Sequence, residues 1–194
     1  MKILIILFAL AVVGLAAAAG FVYSGVYDIG ADAPHWPLTF DLVETLRERS
    51  VAARIEDIKP PDLNDPKLVA DGAEHYSAMC TGCHLAPGMD DTELRKGLYP
   101  QPPKLADPWP ADPRGQFWAI KHGIKLTAMP AWGATHDDNS IWGLVAFLQK
   151  LQGMTPAVYA AMTGDAGGNE HAEQQHHHGD AEGSGQSDHP HEHE

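Results

Sequence analysis

The only two cysteines of this 194-residue chain lie three positions apart, in the segment Cys80-Thr81-Gly82-Cys83-His84, and a histidine follows the second one directly. This spacing is typical of covalent attachment of a c-type haem, because both thiols form thioether bonds to the haem vinyl groups and the adjacent histidine ligates the iron. We therefore predict one covalent haem c, attached at Cys80 and Cys83, with His84 as an axial ligand.

Two other uses of a Cys-x-x-Cys pair fit the sequence less well. A redox dithiol of the thioredoxin kind occurs in a βαβ setting, and no strand pattern flanks residues 80–84. A structural zinc site needs a second cluster of ligands at short spacing, whereas His122 and His136 lie fourteen residues apart. Haem attachment is the interpretation that these residues favour.

The second axial ligand has to reach the opposite side of the haem, and Met129 is the methionine best placed for this. It lies forty-five residues after His84 and is followed by Pro130 in a predicted loop. The other five methionines lie in the apolar amino terminus, on the attachment side, or beyond the last predicted helix: Met1, Met79, Met89, Met154 and Met162. His122 and His136 are the rival ligands and would give a lower reduction potential, and Met129 as a simple core residue is the remaining alternative.

The amino terminus is apolar and uncharged from Ile3 to Val26. A bilayer is crossed by about 20 such residues, so this segment is long enough for a membrane-spanning helix. A cleaved signal peptide is the alternative, because Lys2, the apolar run and the small residues 16–20 resemble one. We favour a retained anchor over residues 1–27, since apolar character resumes after the alanines. Lys2 predicts that the amino terminus faces the cytoplasm and that the remaining chain is exported to the periplasmic side, which agrees with covalent haem attachment outside the cytoplasm.

Residues 28–66 are predicted to connect this anchor to the haem domain. From about Phe40 to Ile58, apolar and charged residues alternate at helical spacing, which predicts one amphipathic helix or two short ones. Such a helix could lie on the lipid surface or on the haem domain, and its mixed charges favour packing on the domain. Pro60, Pro61 and Pro66 then form a stiff connector.

The haem domain is predicted to extend over residues 67–163 as three or more short helices in an all-α fold. The first begins at Asp65-Pro66 and delivers the cysteines, with Gly72 and Tyr76 on the face that a second helix would cross. A helix capped by Asp137 or Asp138 and running to about Leu151, followed by Gly153, is the partner expected at this crossing. A third helix runs from Asp112-Pro113 to Gly123.

At these positions the chain resembles class I cytochromes c, and especially the membrane-anchored, single-haem bacterial cytochromes that serve as dehydrogenase or oxidase subunits. The resemblance covers about residues 67–151 and is carried by the following residues: Gly72, Tyr76, 80–84, Ala86-Pro87-Gly88, 121–124, 127–132 and 142–148. It implies that Met129 is the distal ligand and that the Pro87 carbonyl accepts a hydrogen bond from His84. Leu85 departs from the family pattern, in which glycine is common.

Residues 98–110 contain five prolines, which excludes a helix and predicts a stiff loop along the haem edge. Aromatic side chains that could line the pocket or bond the propionates are Tyr99, Trp109, Trp118 and Trp132. Cations that could bind the propionates are Arg95, Lys96 and Lys104, although scattered surface charges are the more ordinary explanation for them.

These ligands predict an electron carrier, not an enzyme. With His84 and Met129 both bound, the iron has no open position for a substrate, so one-electron transfer is the expected function. The expected partners are redox proteins, namely a membrane or periplasmic dehydrogenase or reductase on one side and an oxidase or soluble carrier on the other. A haem peroxidase or ligand sensor, in which Met129 is displaceable, is the alternative.

Residues 164–194 have no apolar periodicity and are predicted to be a disordered tail. The tail has eight acidic residues and no Lys or Arg, so it carries −8 of the formal net charge of −13. That charge disfavours nucleic acid and favours partners with basic docking faces. Seven tail histidines could bind copper, nickel or zinc, giving a possible periplasmic metal-binding role: His171, His176, His177, His178, His189, His191 and His193.

Overall fold

The computed structural model describes residues 1–108 and 112–164 and is helical in these ranges, with no strand. The predicted all-α fold is therefore confirmed for the described part of the chain. The helices are α1 Lys2–Ser24, α2 Pro37–Ala52, α3 Pro66–Met79, α4 Thr81–His84, α5 Glu93–Lys96, α6 Pro113–His122, α7 Asp138–Leu151 and α8 Pro156–Thr163, and a 3-10 turn occupies Trp132–Ala134.

The first helix, α1, has the composition of a membrane-spanning segment. It is 23 residues long, its side chains are exposed to the surroundings along its whole length, and its length and apolar character would allow it to cross a bilayer. It ends at Gly25, whose φ of 64° is in the left-handed region that glycine adopts at low cost.

Side-chain caps start the three helices that the sequence predicted for the haem domain. Asp65 accepts a hydrogen bond from the Lys67 backbone N–H, and Asp112 does the same for Arg114. Asp137 accepts from the Ser140 backbone N–H at the start of α7. These bonds satisfy backbone donors that have no partner within the helix, so the capping residues fix where each helix begins.

Helices α3 and α7 cross at a point where each helix has a glycine and therefore no side chain. A Cβ atom added at Gly72 would lie 1.9 Å from the Gly143 carbonyl oxygen. The predicted close crossing at Gly72 is therefore confirmed, and Gly143 is the residue it meets. The core formed around this crossing consists mainly of α7 side chains together with Tyr76, and the fully buried members include Ile141, Leu144, Val145, Phe147 and Leu151.

Two helices differ from the sequence prediction. Helix α2 begins at Pro37 and ends at Ala52, earlier than the predicted Phe40 to Ile58, because proline suits the first helical position. Helix α8 is not predicted by the sequence pattern, in which the last expected helix ends near Leu151. Its Thr155 cap and Pro156 start it, and Tyr159 then packs on Tyr76 and Phe147 of the core. The predicted disordered tail lies, beyond Gly164, outside the described residues.

Candidate haem-binding site

A cavity of about 840 Å³ opens beside the core, and the predicted haem-binding side chains line it. Cys80, Cys83 and His84 reach it from the end of α3 and from α4, and Met129 reaches it from the loop after α6. The volume lies in the upper part of the range of about 300 to 1,000 Å³ that is common for small-molecule and cofactor sites. Met129 and the attachment residues, which lie 45 or more positions apart in the sequence, are thus brought to one cavity.

The attachment segment is held by local backbone hydrogen bonds. The His84 N–H donates to the Cys80 carbonyl at 2.8 Å, and the Thr81 hydroxyl donates to the Ser77 carbonyl at 3.1 Å. Burial raises the pKa of the Cys80 thiol to about 12, with the nearby Cys83 adding to this. A thiol with such a high pKa is a poor nucleophile at neutral pH, which argues against a redox dithiol of the thioredoxin kind.

The His84 imidazole is oriented by Pro103. Its Nδ1 atom lies 2.8 Å from the Pro103 carbonyl oxygen. A carbonyl only accepts, so Nδ1 carries the proton and Nε2 keeps the lone pair that a metal would use. Burial lowers the pKa of His84, with the Pro103 bond opposing this, and the neutral imidazole suited to ligation is favoured.

The prediction that the Pro87 carbonyl accepts a hydrogen bond from His84 was wrong, because the acceptor in the structure is the Pro103 carbonyl. Leu85 has a φ of 64° and is 2% exposed, and its carbonyl accepts a 2.7 Å hydrogen bond from the Tyr76 hydroxyl. This turn takes the following residues away from the cavity, which Pro87 does not line. The acceptor belongs to the proline-rich loop that the sequence predicted to run along the haem edge. Its proline content was the one sequence feature that could have indicated this role.

Arg95 fixes this loop from behind. Its guanidinium donates to the Pro102 carbonyl at 2.8 Å and to the Asp91 carboxylate at 2.7 Å, and the residue is 4% exposed. Lys104 lies 3.5 Å from the same carboxylate. Of the three cations that the sequence suggested for the propionates, Arg95, Lys96 and Lys104, none lines the cavity.

Met129 is placed by a tight loop folded back against the end of α6. The Thr127 hydroxyl donates to the Ile124 carbonyl at 2.8 Å and accepts from the Met129 N–H at 3.1 Å. At Gly123 the φ is 65°, and an added Cβ would lie 2.7 Å from the Met129 carbonyl oxygen. Only glycine fits there, so the loop position of Met129 depends on it.

The alternative distal ligands lie away from the cavity or on its attachment side. His122 is exposed, with its ring 5.0 Å from that of Trp118. His136 is half-buried and lies between the rings of Trp132 and His75. Met79 does line the cavity, but from the attachment helix itself. Met129 is the ligand candidate that reaches the cavity from a separate segment.

Helix α2 forms a further wall of the cavity, which resolves the choice that the sequence left open for this helix. The lining residues from α2 and the turn after it recur at helical spacing: Phe40, Glu44, Arg47, Glu48, Val51, Ala52 and Ile55. The opposite face of α2 carries Leu38, Leu42 and Leu46, which are 81%, 67% and 67% exposed. Sequence analysis predicted the amphipathic helix but none of these residues as part of the site.

Of the aromatic residues that the sequence suggested for the pocket, one lines the cavity and another lies at the junction with the segment after α1. Trp132 lines the cavity, whereas Trp118 and Tyr99 do not, and Trp109 lies outside the described residues. Tyr99 instead accepts a 3.1 Å hydrogen bond from the His35 N–H, and the Tyr27 hydroxyl lies 2.8 Å from His35 Nδ1. These contacts tie the segment after α1 to the loop that carries Pro103.

The cavity suits a large, mostly apolar group that carries its own metal. Its walls are mainly prolines, aliphatic side chains and Trp132, with charged side chains from α2 and Asp112 at one part, and the sulfur and nitrogen donors that could ligate a metal are two thiols, an imidazole and thioethers. Within residues 1–108 and 112–164, no cluster of three or more His, Cys, Asp or Glu side chains could hold a bare ion. The residues therefore fit a haem. The predicted tail histidines lie outside the described residues.

Residues 67–148 match the protein-family model described as cytochrome c oxidase, cbb3-type, subunit III. This range begins in α3, includes the attachment segment and Met129, and ends in α7. No curated protein and no solved structure matches the chain significantly.

Proposed function

We propose that this protein is a membrane-anchored carrier of single electrons in a periplasmic respiratory chain, because residues 67–148 match a family model named for a cytochrome c oxidase subunit. The observation that carries the proposal is the convergence of Cys80, Cys83, His84 and Met129 on one cavity. These are the residue types and the number needed to attach one haem and to occupy both axial positions of its iron.

In this proposal each of the four side chains has a separate role. Cys80 and Cys83 would hold the haem through thioether bonds, and His84 Nε2 and the Met129 sulfur would ligate its iron. When bound, the haem supplies an iron that alternates between Fe(II) and Fe(III). The Pro103 carbonyl keeps the His84 ring in the tautomer and orientation that ligation requires.

Electron transfer is favoured over catalysis because His84 and Met129 would both ligate the iron and leave no open position for a substrate. Met129 sits in a loop whose shape is fixed by the Thr127 hydroxyl and by Gly123, which opposes its displacement. The mostly apolar walls limit the water that can enter, so the charge change at the iron is accommodated with little solvent rearrangement. A thioether ligand stabilises Fe(II) and gives a relatively high potential.

Membrane attachment is proposed through α1. Lys2 stands before the apolar segment, and Asp28 and Asp32 follow it, so the cationic end faces the cytoplasm and the haem domain the periplasm. Trp36, whose ring lies 5.9 Å from that of Phe21, stands where aromatic residues commonly mark the bilayer interface. The haem domain would then stay within reach of other membrane proteins.

The partners proposed are redox proteins, in keeping with a family model named for an oxidase subunit. A dehydrogenase or reductase would supply the electron, and an oxidase or soluble carrier would accept it. The formal net charge of −13 favours partners whose docking surfaces are basic. Such steering weakens as salt screens the charges.

The test is maturation of the full chain in a bacterium that attaches c-type haem, followed by denaturing electrophoresis and haem staining. We expect one haem per wild-type chain that survives denaturation, in the membrane fraction, and loss of covalent haem in a Cys80→Ala, Cys83→Ala variant. The reduced wild-type chain should be oxidised by membranes that contain a terminal oxidase. A colourless wild-type chain, or one that turns over peroxide with an open iron position, would contradict the proposal.

A further inference from the structure

Arg47 of α2 is the one Lys or Arg side chain among the described residues that line the cavity. The residues that share the lining with it are otherwise neutral or acidic, the acids being Glu44, Glu48 and Asp112. Asp112 already has a cationic partner, since Arg114 donates to both of its carboxylate oxygens at 2.6 to 3.0 Å. Arg47 therefore supplies the cation of this wall.

The hydrogen bond that Arg47 makes uses only part of its capacity. One nitrogen, Nη2, donates to the Glu44 carboxylate at 2.9 Å, and the two side chains are 37% and 39% exposed. A guanidinium has five N–H donors in a planar fork that matches a carboxylate. An exposed pair three residues apart on a helix contributes little to stability, so this contact leaves Arg47 available for a stronger partner.

A bound haem brings two propionate carboxylates into this cavity, and each needs a hydrogen-bond donor or water where it is shielded. We propose that Arg47 binds a haem propionate and so makes the connector helix part of the cofactor site. This inference rests on the proposed haem binding. It extends the site to residues 40–55, which lie outside the range that matches the family model.

Two consequences follow from a cation bound to a propionate. The positive charge favours Fe(II) and therefore raises the reduction potential. It also stabilises the ionised propionate and lowers its pKa. Potential falls as pH rises through a propionate pKa, because the ionised group favours Fe(III). Removing the charge should therefore lower the potential and move this fall to higher pH.

The experiment compares three variants of the haem-loaded full chain in detergent by redox titration across pH. Arg47→Gln should lower the potential and shift the pH-dependent fall upwards, whereas Arg47→Lys should retain most of the wild-type profile. Arg49→Gln is the matched control, because Arg49 lies on the same helix, is exposed and does not line the cavity. It removes the same charge and should change the profile little.

Equal profiles for Arg47→Gln and Arg49→Gln would overturn the assignment of Arg47 while leaving haem binding intact. A fall in potential with no change in pH dependence would also overturn it, because a charge effect at a distance needs no propionate contact. Circular dichroism checks that the helix content is unchanged, and a half-exposed side chain on a helix outside the main core should be replaceable without unfolding. A wild-type chain that binds no haem would overturn both this inference and the proposed function.

Discussion

The Nδ1 atom of His84 lies 2.8 Å from the carbonyl oxygen of Pro103, nineteen residues further along the chain. The loop that presents this oxygen contains three prolines at 100, 102 and 103, so its backbone has few donors of its own. The buried Arg95 guanidinium, from another segment, donates a hydrogen bond to the Pro102 carbonyl of this loop. The orientation of the imidazole thus depends on a side chain that does not reach the cavity.

Replacing Arg95 with leucine should lower the free energy of unfolding by about 2 kcal/mol, because a buried charge-assisted hydrogen bond and an ion pair are both lost. Urea denaturation of the haem-loaded chain measures this. Lys104→Gln is the control: it removes the longer contact to the same Asp91 from a side chain that is 45% exposed, and we expect a change of no more than about 0.5 kcal/mol. Equal losses in the two variants would show that Arg95 acts only as a surface charge.

Gly72→Ala should be one of the most damaging small substitutions in the domain. Its Cβ would meet the Gly143 carbonyl at 1.9 Å, so α3 and α7 would have to separate, and overpacking of this kind costs about 1 to 3 kcal/mol or more. The thermal unfolding midpoint reports the loss. Gly97→Ala, where the nearest atom would be 3.7 Å away, should leave the midpoint nearly unchanged. A tolerated Gly72→Ala would contradict the close crossing.

Tyr76→Phe should destabilise the fold by about 1 to 3 kcal/mol at neutral pH, because the Leu85 carbonyl loses its 2.7 Å hydrogen bond in a buried place.

The difference in unfolding free energy between wild type and Tyr76→Phe, measured by denaturant titration, should depend on pH. Burial raises the pKa of Tyr76 well above its ordinary value of 10.0. Above pH 10 the unfolded chain therefore releases a proton that the folded chain keeps, so stability falls as pH rises through this region. The phenylalanine variant lacks this titration, and its stability relative to wild type should improve between neutral pH and pH 11. A constant difference across that range would contradict the burial of the hydroxyl.

Leu85 combines a buried side chain with a backbone conformation that favours glycine, at φ 64° and ψ 155°. Leu85→Ala loses the packing and keeps the strain, whereas Leu85→Gly loses the packing and relieves about 1 to 3 kcal/mol of strain. We therefore expect the glycine variant to be more stable than the alanine variant, the reverse of the usual order. Denaturant titration of the two variants decides it, and alanine being the more stable would argue against the positive φ.

The local signals in the sequence were sufficient to predict most of the helices. Asp65-Pro66 and Asp112-Pro113 each specify a helix start through one side chain and one fixed φ, and both starts were found as predicted. Gly72 predicted a close helix crossing because glycine destabilises the interior of a helix and is expected there mainly where another backbone approaches. Pro103 could not be distinguished from Pro87, because the choice depends on how Leu85 turns the chain.

The role of α2 in the site depends on tertiary contacts that periodicity does not encode. Alternating charged and apolar residues indicate an amphipathic helix, but they do not say what its inner face covers. Arg47 and Arg49 look equivalent in the sequence, and only the folded chain places Arg47 on the cavity. Likewise, α8 is a short segment whose helix is stabilised by the packing of Tyr159 on the core.

The absorption spectrum of the oxidised, purified full chain tests the central claim most directly. A methionine-ligated haem has a weak charge-transfer band near the red edge of the visible spectrum, which we expect in wild type and in Met79→Leu, the control for the other methionine of the cavity. The band should disappear in Met129→Ala, and the reduced form of that variant should bind carbon monoxide readily. Absence of the band from wild type, or its persistence in Met129→Ala, would contradict ligation of the iron by Met129.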